Sequence, residues 1–202
     1  MKRGGIANLW AVCFALTALA VPAGAQAGAQ DWADAASGEV NADMVADVIA
    51  RGLNAEARGD ANALLNEARN LSHLSHPAAG EPDLARRWQR EARALGASAN
   101  DQDIWRGRTL GPAYRSGRIG AHGQFHTRQT FTAGVRAEIA LVPMSEDPLS
   151  LTVNDDEGAA ICEVAPSAHN LGCRWVPPFT GSSRIEVGND NDRPVEFYIV
   201  LN

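Results

Sequence analysis

DPLSLTVNDDEGAAICEVAPSAHNLGCRWVPPFTGSSRI, residues 147–185, decides the fold. Leu149, Leu151 and Val153 alternate with polar residues, which is the period of a strand with one buried face. Asp155-Asp156-Glu157-Gly158 closes that strand in a turn, and Ala159 to Val164 reads as its hairpin mate. Cys173 to Val176 and Ser183 to Val187 supply two more short strands. Cys162 and Cys173, set into this pattern, are the rarest chemistry in the segment.

The same period extends to both sides. Phe125, Thr127, Gln129 and Phe131 alternate with His126, Arg128 and Thr130, and Val135, Ala137, Ile139 and Leu141 alternate with Arg136 and Glu138. Val195 to Leu201 ends the series. About seven short strands separated by Gly, Pro and Asp turns, with no helical period among them, predict an antiparallel β-sandwich over 110–202. Residues 100–109 read as a linker, in which Ile104 and Trp105 are placed to dock helices on strands.

N-terminal to the linker the period is helical, and residues 31–99 read as a small bundle of about three helices. Met44, Val45, Val48 and Ile49 form a stripe in a first helix ending near Gly59; Asp60 caps a second carrying Leu64, Leu65, Ala68 and Leu71. After the break at Pro77, Gly80 and Pro82, a third starts near Asp83, with Leu84, Trp88, Ala92 and Leu95 on one face and Gly96 as its stop. The expected fold class is therefore α+β in two parts.

The first 25 residues have a basic start at Lys2 and Arg3, an apolar run from Ile6 to Val21, and small residues at Ala23-Gly24-Ala25. This is the pattern of a signal peptide, with Ala27-Gly28-Ala29 as a later cleavage point, and the run is shorter than the roughly 20 residues of a membrane span. Its removal takes Lys2 and Arg3 and no acid, so the net charge moves from -6 to -8. A chain this acidic is a poor partner for nucleic acid, whose phosphates need clustered Lys and Arg. Cys13 leaves with the peptide, and the remaining pair, Cys162 and Cys173, is expected to form one disulfide in an oxidising compartment. The expected location is the periplasm or the medium, and the chain is not expected to be an integral membrane protein.

Thr130-Phe131-Thr132-Ala133-Gly134, Pro148 to Val153, Cys162, Cys173-Arg174-Trp175-Val176-Pro177, Thr180-Gly181 and Ile185-Glu186-Val187 resemble the bacterial pre-peptidase C-terminal domain, over Leu110 to Asn202. The resemblance implies a secreted β-sandwich of jelly-roll type. It also implies an accessory role in targeting, substrate contact or solubility, and it brings no catalytic residues.

Candidate chemistry is sparse. Asn154-Asp155-Asp156-Glu157 and Asn189-Asp190-Asn191-Asp192 are acidic turns, and Asp155, Asp156, Asp190 and Asp192 are the candidate calcium ligands. Asp and Asn are also what turns require without any ion. Five histidines show no zinc spacing: His73 and His76 are followed by Pro77, His122 and His126 would lie roughly 13 Å apart along a strand, and His169 sits between the cysteines. No G-x-S-x-G nucleophile motif is present. Trp175, Phe179 and Tyr198 are the candidate ligand platforms, although Trp175 shares a strand face with Cys173 and suits a core position. The expected function is a non-catalytic binding or interaction module of the bacterial envelope, with an envelope protein or polysaccharide as partner. The alternatives are an envelope-polymer hydrolase using a carboxylate pair and a structural or assembly protein.

Overall fold

The computed structural model describes residues 40–98 and 111–202, and each helix among them begins at a polar cap. Asn41, Asp60 and Asp83 accept from the amides of Met44, Ala63 and Arg86 and start α1 (Ala42–Arg58), α2 (Ala61–Leu74) and α3 (Leu84–Ala94). The predicted signal peptide with Cys13 and the predicted linker with Ile104 and Trp105 fall outside the described residues.

The apolar stripes face one another and the sheet. Leu64, Leu65, Ala68 and Leu71 of α2 and Leu84, Trp88 and Ala92 of α3 are buried as expected. On α1 the buried face is Val45, Val48, Ile49, Gly52 and Ala55, while Met44 and, after α3, Leu95 are largely exposed. Met44 falls off the stripe because it sits one residue short of Val45, about 100° around the helix.

Among the described residues nine strands form two sheets that are mainly antiparallel. The five-stranded sheet has the order β1 (His76–Pro77), β2 (Ala113–Ile119), β9 (Val195–Leu201), β4 (Ala137–Pro143), β7 (Leu171–Trp175). The four-stranded sheet runs β3 (Gln124–Phe131), β8 (Gly181–Gly188), β5 (Leu149–Asn154), β6 (Ala160–Ser167). Inward residues of both sheets, among them Ile139, Leu151, Ile185, Val187, Phe197 and Ile199, make one core. Cys162 of β6 and Cys173 of β7 are joined by a disulfide, so the bond ties one sheet to the other instead of closing a hairpin.

The expectation of one buried face per strand fails for β4 and β9. Ala140 and Val142 of β4 and Tyr198 and Val200 of β9 point to the other side, where they join the helical residues in a second core, and α1 packs across both strands. Both strands are therefore buried on two faces, which is why Ile139 to Val142 and Tyr198 to Leu201 read as unbroken apolar runs. Glu138 was expected on the solvent side and is only 2 % exposed. Its carboxylate accepts from the Ala42 amide at 2.8 Å, where the free N–H groups of α1 attract negative charge. Arg174 pairs with both Glu138 and Asp43 and completes the clamp between helix and sheet. Val40–Asn202 cluster as one compact unit.

Candidate functional site

Where the helical layer ends, the outer face of β2 and β9 lies open and forms a cleft of about 500 Å³. Its floor is aromatic: Tyr114 of β2 and Tyr198 of β9 meet edge to face at 6.3 Å. Tyr114 is buried, and its hydroxyl accepts from the Leu84 amide at 3.0 Å, satisfying one of the orphan donors in the first turn of α3. This bond fixes the start of α3 as one wall of the cleft. Arg118 and Glu196 form the opposite wall, 3.7 Å apart and both well exposed, with Met144 near them.

Each acid on the helical side already has a partner. The Glu81 carboxylate accepts from the Ser116 amide at 3.2 Å and from its hydroxyl at 2.9 Å. Asp83 caps α3, and Arg87 is held in a two-point pair with Glu56 at 2.7 and 3.0 Å. Tyr198 differs. It is 9 % exposed, yet its hydroxyl has no hydrogen-bond partner among the described residues, and it lines the cleft. Burial holds its hydroxyl above the usual tyrosine range, against the opposing pull of Arg87.

Tyr114 is the more strongly shifted of the two, pushed up to about 12 first by desolvation, with the Leu84 amide pulling the other way. Its folded value lies above its unfolded one, so its contribution is complete below pH 10 and is lost as pH rises toward 12. A rise from 10.0 to about 12 corresponds to roughly 2–3 kcal/mol. Thermal melts are expected to hold steady up to about pH 10 and fall steeply above it, and Tyr114→Phe should flatten that fall while costing about 1 kcal/mol at neutral pH for the lost acceptor. A wild-type curve that stays level to pH 12 would contradict this assignment.

The three predicted platforms do not come together. Tyr198 lines the cleft on the helical side of its sheet. Trp175 is on the opposite face, half-buried between the sheets and edge to face with Phe131 at 4.8 Å. Phe179 is in the loop after β7, 81 % exposed. The candidate calcium ligands are likewise divided. Asp155 and Asp156 follow β5, whereas Asp190 and Asp192 follow β8, and the antiparallel pairing of these strands puts the two turns at opposite ends of the four-stranded sheet. Asp155 accepts from the amides of Glu157 and Ala159, Asp156 faces the Ser182 amide at 3.3 Å, and Asp192 meets His122 at 2.9 Å. Among the described residues no three His, Cys, Asp or Glu side chains group as a metal ion requires. His122 itself lies in the turn before β3, at φ 51°, and not in the strand.

No family model matches the chain, and no curated protein matches it. Among solved structures, 45 % of the chain superposes on 84 % of a mitogen derived from Yersinia pseudotuberculosis, at 14 % identity and a TM-score of 0.38. The same share of the chain superposes on 84 % of a periplasmic inhibitor of g-type lysozyme from Aeromonas hydrophila, at 13 % identity and a TM-score of 0.36. It also covers 88 % of the pre-peptidase C-terminal domain of a Bacillus anthracis collagenase, at 10 % identity and a TM-score of 0.37. No helix among the described residues is long and apolar enough to cross a membrane.

Proposed function

We propose that this chain is a non-catalytic binding module of the bacterial envelope, exported by its N-terminal segment and built on a jelly-roll β-sandwich of the pre-peptidase C-terminal type. The observation that carries the reading is the cleft, with one tyrosine hydroxyl on its floor that no described residue bonds and acids on its helical wall that already serve the fold. A glycosidase-type hydrolase needs two carboxyl groups facing each other across the substrate, one as acid and one as base or nucleophile. Glu81 and Asp83 are tied to backbone amides, and Glu196 stands across from them beside Arg118. The oxidised cysteine pair and the acidic composition agree with a periplasmic or secreted setting.

The test is capture from a periplasmic extract together with a glycan array, comparing the wild type with Tyr198→Phe. The variant removes one hydroxyl that makes no bond to another described residue, so its melting curve should not move. Binding should fall about three- to tenfold, the worth of one hydrogen bond. Release of soluble fragments from purified peptidoglycan by the wild type would instead establish the hydrolase. Self-association alone would establish an assembly role.

A further inference from the structure

We infer that the cleft receives an extended polypeptide segment, which adds as a strand to the open edge of β2 at Ser116–Ile119. This rests on the binding-module reading and names the ligand class for its site.

The argument starts from where the backbone groups of β2 point. In an antiparallel ladder, alternate residues direct both N–H and C=O toward the partner or away from it. The Tyr114 carbonyl accepts from the Ala78 amide at 2.8 Å, so Tyr114 points outward, away from β9. Ser116, two residues on, also points outward, since its amide is taken by Glu81. By the same alternation the N–H and C=O of Arg118 point outward, as does the Ser116 carbonyl. On β9 the matching residues turn the other way: Glu196, opposite Arg118, gives its carbonyl to Met144.

This edge is already half occupied. β1 lies parallel to β2 but covers only Ala113 and Tyr114. Gly80, at φ 84°, belongs to the turn that carries the chain out of the sheet, and the Glu81 side chain then supplies the acceptor that a backbone carbonyl would have supplied. Beyond it the edge carries donors and acceptors that no described residue pairs, at the strand repeat of about 6.7 Å per two residues. Another polypeptide backbone matches that spacing and alternation, and a glycan does not. The cleft flanks the same stretch, because Ser116, Gly117 and Arg118 line it together with Tyr198. A strand laid along the edge would set one side chain over the aromatic floor, where the Tyr198 hydroxyl and the exposed rim of Met144 and Glu196 supply selectivity.

The experiment uses the full mature chain and an array of unstructured decapeptides of varied composition, read beside a glycan array. The selected peptide is resynthesised with N-methyl groups at alternate amides. Arg118→Pro removes the outward N–H at an edge position, where proline is tolerated, together with the arginine side chain, and Arg118→Ala serves as the control for the side chain. The expected result is a peptide whose binding falls at least tenfold with Arg118→Pro and with one N-methyl phase, and by less than about threefold with Arg118→Ala. Binding should also slow hydrogen exchange at the Arg118 amide. The proposal is overturned if selected peptides tolerate both N-methyl phases and Arg118→Pro, or if no peptide binds. Glycan binding sensitive to Tyr198→Phe would overturn it while leaving the binding-module reading intact, and so would an edge-to-edge dimer abolished by Arg118→Pro. An Arg118→Pro chain with an altered melting curve is replaced by the N-methyl series and the exchange measurement, which need no variant.

Discussion

Replacing Cys162 and Cys173 together by alanine is expected to lower the melting temperature by about 6–12 °C, the equivalent of roughly 3 kcal/mol at 2–4 °C per kcal/mol for a chain of this size. The two cysteines are 11 residues apart in sequence, so the bond removes the freedom of a short loop from the unfolded chain. Its position adds to that effect. β6 is the last strand of the four-stranded sheet and β7 the last of the five-stranded sheet, so no backbone ladder connects them. The bond and the packing around buried Cys173 hold this margin of the stacked sheets together. The cleft lies on the other face of the five-stranded sheet, so ligand binding well below the melting point should be unchanged in the double variant. Thermal melts under non-reducing conditions check the first part, and an unchanged midpoint would remove the structural role given to the pair.

The disulfide and the strands around it were legible because each leaves a local signature. Leu149-x-Leu-x-Val153 and Ile185-x-Val187 alternate cleanly, since one face meets the core and the other meets water. β2 left no such signature. Its inward face carries Ala113, Arg115, Gly117 and Ile119, and a side chain at Gly117 would meet the Phe197 ring at 2.3 Å. The large ring on β9 fills the space that an apolar residue on β2 would have filled, so the strand reads as loop. The helical caps at Asp60 and Asp83 were readable because capping is decided within four residues. The burial of Glu138 was not, because its cause is the N-terminus of α1, 96 residues earlier. The cleft belongs with this second group. Tyr198 is an aromatic and so a visible candidate in sequence, but Arg118, Glu81 and Met144 are ordinary surface residues there, and only the pairing of β2 with β9 and the turn after β1 bring them to one cleft.

Trp88→Ala is expected to cost about 3–5 kcal/mol, because it empties the largest side chain in the helical core. Trp88 is fully buried on α3, and its indole N–H donates to Glu56 at 2.7 Å. Its ring lies against α1 at Gly52, where an added Cβ would stand 2.2 Å from the nearest ring carbon. Gly52 is thus small for a steric reason, and its cost in helix propensity is offset by letting the ring lie flat against the helix. Gly52→Ala should therefore destabilise by about 1–3 kcal/mol through overpacking, although alanine is the better helix former. The two changes should not add. With the ring gone, the methyl introduced by Gly52→Ala has room and fills part of the vacated volume, so the double variant should be more stable than the sum of the single costs by at least about 1 kcal/mol. Denaturant melts of the four proteins measure this coupling. Strict additivity would show that the ring does not rest on α1, and the clamp between α1 and α3 would then fall to Glu56, held by Arg87 alone.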